Sequence, residues 1–169
     1  MQSRRENYIR LGKIIRGSRI GQDLRFAVVV AFFNEQITSK LLEGCIDGLV
    51  GNGVKRDFIT VVSVPGSLEL GVVAKKMAGS YKYDAIICLG SVIRGETSHY
   101  DIVANLGAYS MTQAALDTGI PVILGYLTTE NEEQAEARSG GSLGNKGYDA
   151  ALTGIEMANL MKTLGNTER

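Results

Sequence analysis

The chain has 169 residues, 44% hydrophobic and 21% charged. These are the proportions of an ordinary globular domain, and a domain near that size buries roughly 70% of its unfolded surface. Eighteen lysine and arginine residues balance eighteen aspartate and glutamate residues, which argues against a dedicated nucleic-acid binder. The longest apolar run, Phe26 to Phe33, is far short of a membrane span, and no apolar run follows Arg4 and Arg5 to make a secretory signal.

A cytoplasmic protein with no membrane contact is therefore expected. Its two cysteines, Cys45 and Cys88, are read as reduced thiols, and with one histidine and no short cysteine spacing a zinc site is not expected.

Residues 1 to about 23 are polar except for a short patch at Ile14 and Ile15, and read as a loose arm or an edge strand. Arg25 to Phe33 is apolar without alternation, the pattern of a strand buried on both faces of a parallel sheet. Ile37 to Val50 reads as a helix with Ile37, Leu41, Cys45 and Leu49 on one stripe and Gly51-Asn52-Gly53 as its stop. Phe58 to Val64 is the next strand. Pro65 and Gly66 make a turn, and a helix runs from about Ser67 to Ala78 with Glu69 near its start. A carboxylate there contributes about 0.3–1 kcal/mol through the helix dipole, which by itself accounts for the residue.

Ala85 to Leu89 is a third apolar strand, closed by Gly90. A polar loop follows, Arg94 to His99, and then a helical pattern from about Asp101 to Thr118 with Ile102, Val103, Leu106, Tyr109 and Ala114 on one face. Ile120 to Leu127 is the fourth strand. Thr128 or Thr129 reads as the cap of a short helix with Glu130, Glu132 and Glu133 in its early turns and an end near Arg138. The glycine-rich stretch Ser139 to Asp149 is not a phosphate loop of the Walker type, because Gly147 follows Lys146. No G-x-G-x-x-G follows a strand either. The last helix, about Tyr148 to Leu164, has a face of small residues at Ala151, Gly154, Ile155 and Ala158 that permits close packing.

Strands alternating with helices make an α/β fold with a parallel sheet and right-handed crossovers. After the arm, residues 24–169 read as one domain, with no repeat or linker to split them. Loops that follow parallel strands share one edge of the sheet, where such folds bind ligands. That edge would gather Phe33-Asn34, Pro65 to Glu69, Ser91 to His99 and the stretch after Leu127. The third of these loops holds the only histidine of the chain, a glycine, two hydroxyls and the start of a helix, which suits an anion such as phosphate. The plainer readings are a solvated histidine, a helix cap at Thr97 or Ser98, and a core phenylalanine at a strand end.

Four stretches carry a family resemblance: RFAVVVAFFNEQIT, VPGSLEL, GSVIRGETSHYDIVAN and PVILGYLTTENEEQAEARSGGSLGNKGYDAALTGIEMANL. Over about Leu24 to Met161 the chain resembles the lumazine synthases. The resemblance implies a flavodoxin-like three-layer α/β/α sandwich around a four-stranded parallel sheet, with an N-terminal strand added to a neighbouring subunit's sheet. It implies a homo-oligomer, either a pentamer or a sixty-subunit shell of pentamers, with riboflavin synthase as a further partner. The implied reaction joins 5-amino-6-(D-ribitylamino)uracil to 3,4-dihydroxy-2-butanone 4-phosphate through an imine, phosphate elimination and ring closure, with no metal or organic cofactor.

The same resemblance implies roles. Phe33 stacks on the pyrimidinedione, next to Asn34. Ser67, Leu68 and Glu69 form a turn that meets ribityl hydroxyls. Ser91, Val92 and Ile93 contact the pyrimidine through backbone groups. Gly95, Glu96, Thr97, Arg138 and Lys146 hold phosphate, and His99 is the general acid/base. A solvated loop lysine is an equally good account of Lys146. Three departures stand out: Leu124 replaces the usual phenylalanine against the pyrimidine, Leu68-Glu69-Leu70-Gly71 replaces a Phe-Glu-Ile/Leu-Pro pattern, and Ser98 replaces proline or threonine. Leu124 also motivates a rival expectation, a ribityl- or flavin-binding protein that has lost the reaction. A shell protein with a vestigial site is a third.

Overall fold

The computed structural model describes residues 12–165. Its elements in chain order are β1 (Phe26–Ala31), α1 (Glu35–Gly51), β2 (Ile59–Val64), α2 (Leu70–Ala78), β3 (Ala85–Ile93), α3 (His99–Thr118), β4 (Val122–Thr129), α4 (Glu132–Arg138), β5 (Ser139–Gly141), β6 (Gly144–Asn145) and α5 (Lys146–Gly165). Short 3-10 turns occupy Arg56–Phe58 and Ser67–Glu69.

The first four strands form one sheet in the order β2-β1-β3-β4, with every pairing parallel. All six residues of β1 are buried, as its unbroken apolar run requires for a central strand. Phe26, Val28, Ile87 and Leu89 face α1 and α5, where they meet Ile37, Leu41, Leu49 and Ile155. Val29, Ala31, Ile86 and Cys88 face α2 and α3 and pack on Leu70, Ala74, Met111 and Ala114. Helices thus cover both faces, which is the expected flavodoxin-like sandwich. The stripe Ile37, Leu41, Cys45, Leu49 is wholly buried, and the small face Ala151, Gly154, Ile155, Ala158 lies against the sheet.

Several local expectations need correction. β3 runs on to Ile93 and β4 to Thr129, because Ser91, Val92 and Ile93 pair with Leu127, Thr128 and Thr129. That pairing takes both threonines into the strand, so neither caps α4. Asn131 does so instead, its side-chain oxygen accepting the Gln134 N–H at 2.9 Å. The glycine-rich stretch forms the β5–β6 ribbon and feeds α5 at Lys146, two residues earlier than its apolar pattern indicates. The apolar face expected for α3 is largely its outer one. Ile102, Leu106 and Tyr109 are 50%, 55% and 66% exposed, while Ala104, Gly107, Met111 and Ala114 are buried.

Residues 12–23 form no strand. They lie along α5 instead: the Asn159 amide donates to the carbonyls of Ser18 and Ile20, both at 3.0 Å, and Arg19 pairs with Glu156 at 3.2 Å. Gly17 rests directly on the Glu156 carbonyl, where a Cβ would collide. Any strand formed by residues 1–11 lies outside the described residues. Among the described residues β2 is an open edge, with Thr60, Val61 and Ser63 exposed.

Candidate functional site

The carboxyl ends of the strands are tied together by backbone bonds before any side chain is considered. The N–H of Phe32 donates to Val64 at 2.7 Å and that of Phe33 to Pro65 at 3.1 Å, so the loop after β1 is zipped to the loop after β2. Asn34 then takes a left-handed conformation, φ 60°, which asparagine tolerates better than most residues. Its carbonyl accepts the N–H groups of Ile37 and Thr38, and its side-chain amide donates to Ser91 at 2.9 Å. The tight reversal leaves the ring of Phe33 standing on the rim, 69% exposed, so it is not a core residue.

The turn after β2 presents Ser67, Leu68 and Glu69 from a single 3-10 turn. Ser67 points inward and is buried; Leu68 and Glu69 are exposed. Beyond β3, Arg94 anchors the next loop. Its N–H donates to Thr129, its guanidinium meets Asp101 at 3.2 and 3.3 Å and Glu130 at 2.8 Å, and it stacks 4.0 Å from the Tyr100 ring centre. The hydrogen bonds to Asp101 lead the effects that raise its already high pKa. The anchored loop starts α3 at His99. Thr97 Oγ1 accepts the His99 N–H at 3.4 Å, while Ser98 makes no side-chain cap.

These three loops enclose a cavity of about 400 Å³. Phe33 and Asn34 line it from the first loop, Ser67, Leu68 and Glu69 from the second, and Ser91, Val92, Ile93, Gly95, Thr97 and His99 from the third. The space is apolar along the β3 side, with a carboxylate, an imidazole, hydroxyls and an amide at its margins. That combination accommodates a flat heterocycle with a polar tail and provides groups able to move protons. Gly66, Tyr100 and Val103 also line it, though the sequence reading gives none of them a site role. Val103 carries a usable signal, since it lies four residues past His99 on the same face of the helix, and Tyr100 lies three residues before Val103.

Four expected residues do not line this cavity. Glu96 is exposed on the same loop. Leu124 lines a separate depression on β4 with Tyr100, Asp101 and Tyr126. Arg138 ends α4 and donates from Nη1 to the Gln134 carbonyl at 2.9 Å, and Lys146 is exposed at the start of α5. The Ser91 carbonyl is already engaged by Asn34, and the buried Ser91 Oγ has no hydrogen-bond partner among the described residues.

Both cysteines are free and buried away from the cavity, and burial pushes each thiol up to about 12. Among the described residues no group of three or more histidine, cysteine or acidic side chains is placed to hold a metal ion. No helix there is long and apolar enough to cross a membrane.

The family model for 6,7-dimethyl-8-ribityllumazine synthase matches residues 23–162. That span runs from just before β1 into α5 and contains every loop of the cavity together with Leu124, Arg138 and Lys146. With a match over most of its length and a parallel sheet whose loops meet at one edge, the chain belongs to the 6,7-dimethyl-8-ribityllumazine synthase family, transferases that perform a condensation in riboflavin biosynthesis.

Proposed function

We propose that the chain condenses 5-amino-6-(D-ribitylamino)uracil with 3,4-dihydroxy-2-butanone 4-phosphate to give 6,7-dimethyl-8-ribityllumazine. The observation that carries this reading is the single cavity in which Phe33, Glu69, Thr97 and His99 meet from three loops. The pyrimidinedione stacks on Phe33 and lies along Val92 and Ile93, with its ribityl chain toward Ser67, Leu68 and Glu69. The 5-amino group attacks the ketone, and loss of water gives the imine. Phosphate then leaves, and closure of the second ring releases another water. His99, at the rim, takes and returns protons during these steps. Gly95, Glu96 and Thr97 cradle the phosphate at the start of α3. None of these steps calls for an added cofactor.

Leu124, Arg138 and Lys146 stand outside the cavity of their own chain, so on this reading they reach substrate from an adjoining copy. The exposed stripe Ile102, Leu106, Tyr109 on the helix that begins with His99 supports such a contact. A cytoplasmic homo-oligomer follows, a pentamer or a shell of pentamers. The open edge of β2 would receive a neighbour's N-terminal strand, and riboflavin synthase would consume the product.

The test is a fluorescence assay for the lumazine product with both substrates, in wild type and His99→Ala. Product above the uncatalysed background, reduced in the variant, supports the reading. Background product alongside tight binding of a ribityl ligand would replace it with a binding protein.

A further inference from the structure

Tyr126 lies on β4, outside the cavity and outside every role assigned above, yet its side chain reaches the back of the cavity wall. Its ring and hydroxyl occupy space that two glycines leave open. A Cβ on Gly90 of β3 would stand 2.9 Å from ring carbons, and one on Gly107 of α3 would stand 2.6 Å from the hydroxyl oxygen. Such distances are closer than real Cβ contacts allow, so a side chain at either position would displace the tyrosine.

The hydroxyl has neighbours on two other elements. It donates to the Val103 carbonyl of α3 at 3.1 Å. Ser67, from the turn after β2, adjoins the same space: a Cβ on Gly107 would stand 3.5 Å from the Ser67 carbonyl oxygen, and, against the larger effect of burial, the Ser67 side chain acts to lower the pKa of the phenol. Val103 and Ser67 both line the cavity. One side chain from the edge strand therefore joins the helix that carries His99 to the turn that carries Glu69. Burial, the largest influence, raises the pKa of the phenol, so the proton that Val103 accepts stays in place near neutral pH.

We infer that Tyr126 is a positioning residue. Through Val103 and Ser67 it sets the separation between the first turns of α3 and the Ser67–Glu69 turn, and so fixes where the ribityl-bearing pyrimidine sits relative to His99. The inference rests on the condensation proposed above. Tyr126 does not touch the reacting atoms. It meets the cavity wall at Val103 and beside Ser67, not at the Gly95 to Thr97 segment.

The test combines Tyr126→Phe, Gly107→Ala and the double variant. Tyr126→Phe keeps the ring and removes one hydrogen-bonding group. It should raise KM for the ribitylaminopyrimidine by about fivefold, the scale of one net hydrogen bond, while KM for the butanone phosphate stays at the wild-type value. A general loss of folded protein would lower kcat and leave both KM values alone. Gly107→Ala should raise the same KM by pushing the hydroxyl aside. Adding Tyr126→Phe removes the colliding oxygen, and the double variant should then match Tyr126→Phe alone rather than sum the two losses. Unchanged KM values in Tyr126→Phe, equal changes for both substrates, or strict additivity would overturn the inference.

Wild-type protein that makes no product would instead overturn the condensation. The positioning role would then be read from calorimetric affinity for the ribitylaminopyrimidine. About fivefold weaker binding to Tyr126→Phe than to wild type would support it; equal affinity, or none in either protein, would overturn it.

Discussion

The Asn34 side-chain amide donates to the Ser91 carbonyl at 2.9 Å, joining the loop after the first strand to the end of the third. Asn34 does this from a left-handed backbone conformation. Two costs can therefore be separated by substitution. Asn34→Gly keeps the backbone free to adopt φ 60° but loses the bond, and should destabilise by about 1 kcal/mol. Asn34→Ala loses the bond and adds the strain of a side chain in that region, for a total of about 2–3 kcal/mol. Urea unfolding of the two variants checks the order; alanine milder than glycine would refute it.

His99 begins α3 and lines the cavity from its rim, where its side chain is exposed. Removing it should cost little stability. Turnover should fall by about 10²–10⁴ if proton transfer limits the rate. The check is kcat for His99→Ala at saturating concentrations of both substrates. Wild-type turnover would remove the histidine from the mechanism.

Arg138 donates to the Gln134 carbonyl in its own helix and does not reach the cavity of its own chain. If it serves a neighbour's phosphate cradle, Arg138→Ala should raise KM for the butanone phosphate about tenfold or more, the loss of a charge-assisted contact, and leave KM for the pyrimidine alone. Mixing Arg138→Ala with His99→Ala should restore activity, because some cavities would then draw one intact residue from each copy. No recovery on mixing would place both residues in one chain's site.

The two buried thiols predict an alkaline loss of stability. Each has its pKa raised from 9.0 to about 12 by burial. The folded chain therefore keeps a proton that the unfolded chain releases. Below about pH 9 this contribution is fully present, and it is lost as pH rises from there toward about 12, with a slope of about 1.4 kcal/mol per pH unit for each thiol. Urea midpoints at pH 10 and pH 11, both between 9.0 and about 12, measure the slope. Cys45→Ala or Cys88→Ala should make it shallower, even where the substitution lowers stability overall. A slope unaffected by either substitution would contradict the assignment.

The core was legible where a residue's burial depends only on its own element. Ile37, Leu41, Cys45 and Leu49 repeat at helical spacing and all face the sheet, and β1 has no polar residue to turn outward. Legibility failed where a distant partner decides. Whether Thr129 belongs to a strand or a cap depends on Ile93 pairing with it. The apolar stripe expected for α3 is largely exposed, because periodicity cannot say whether the sheet or another molecule covers it; of its members Ala114 alone is fully buried against the sheet, beside Met111. The cavity follows the same division. Phe33, Glu69 and His99 meet because parallel strands deliver their loops to one edge. Leu124, Arg138 and Lys146 lie in a fourth stretch of the same family resemblance, but a resemblance does not specify that its stretches meet within one chain.

The helix that begins with His99 also carries Ile102, Leu106 and Tyr109 on its outer side. A second copy covering those side chains would immobilise the helix, and with it the histidine's own first turn. Mass action then links catalysis to assembly. With such a copy in place, specific activity would be a function of the protein's own concentration, falling on dilution below the dissociation constant of the assembly and returning on concentration, without any change in the covalent chain.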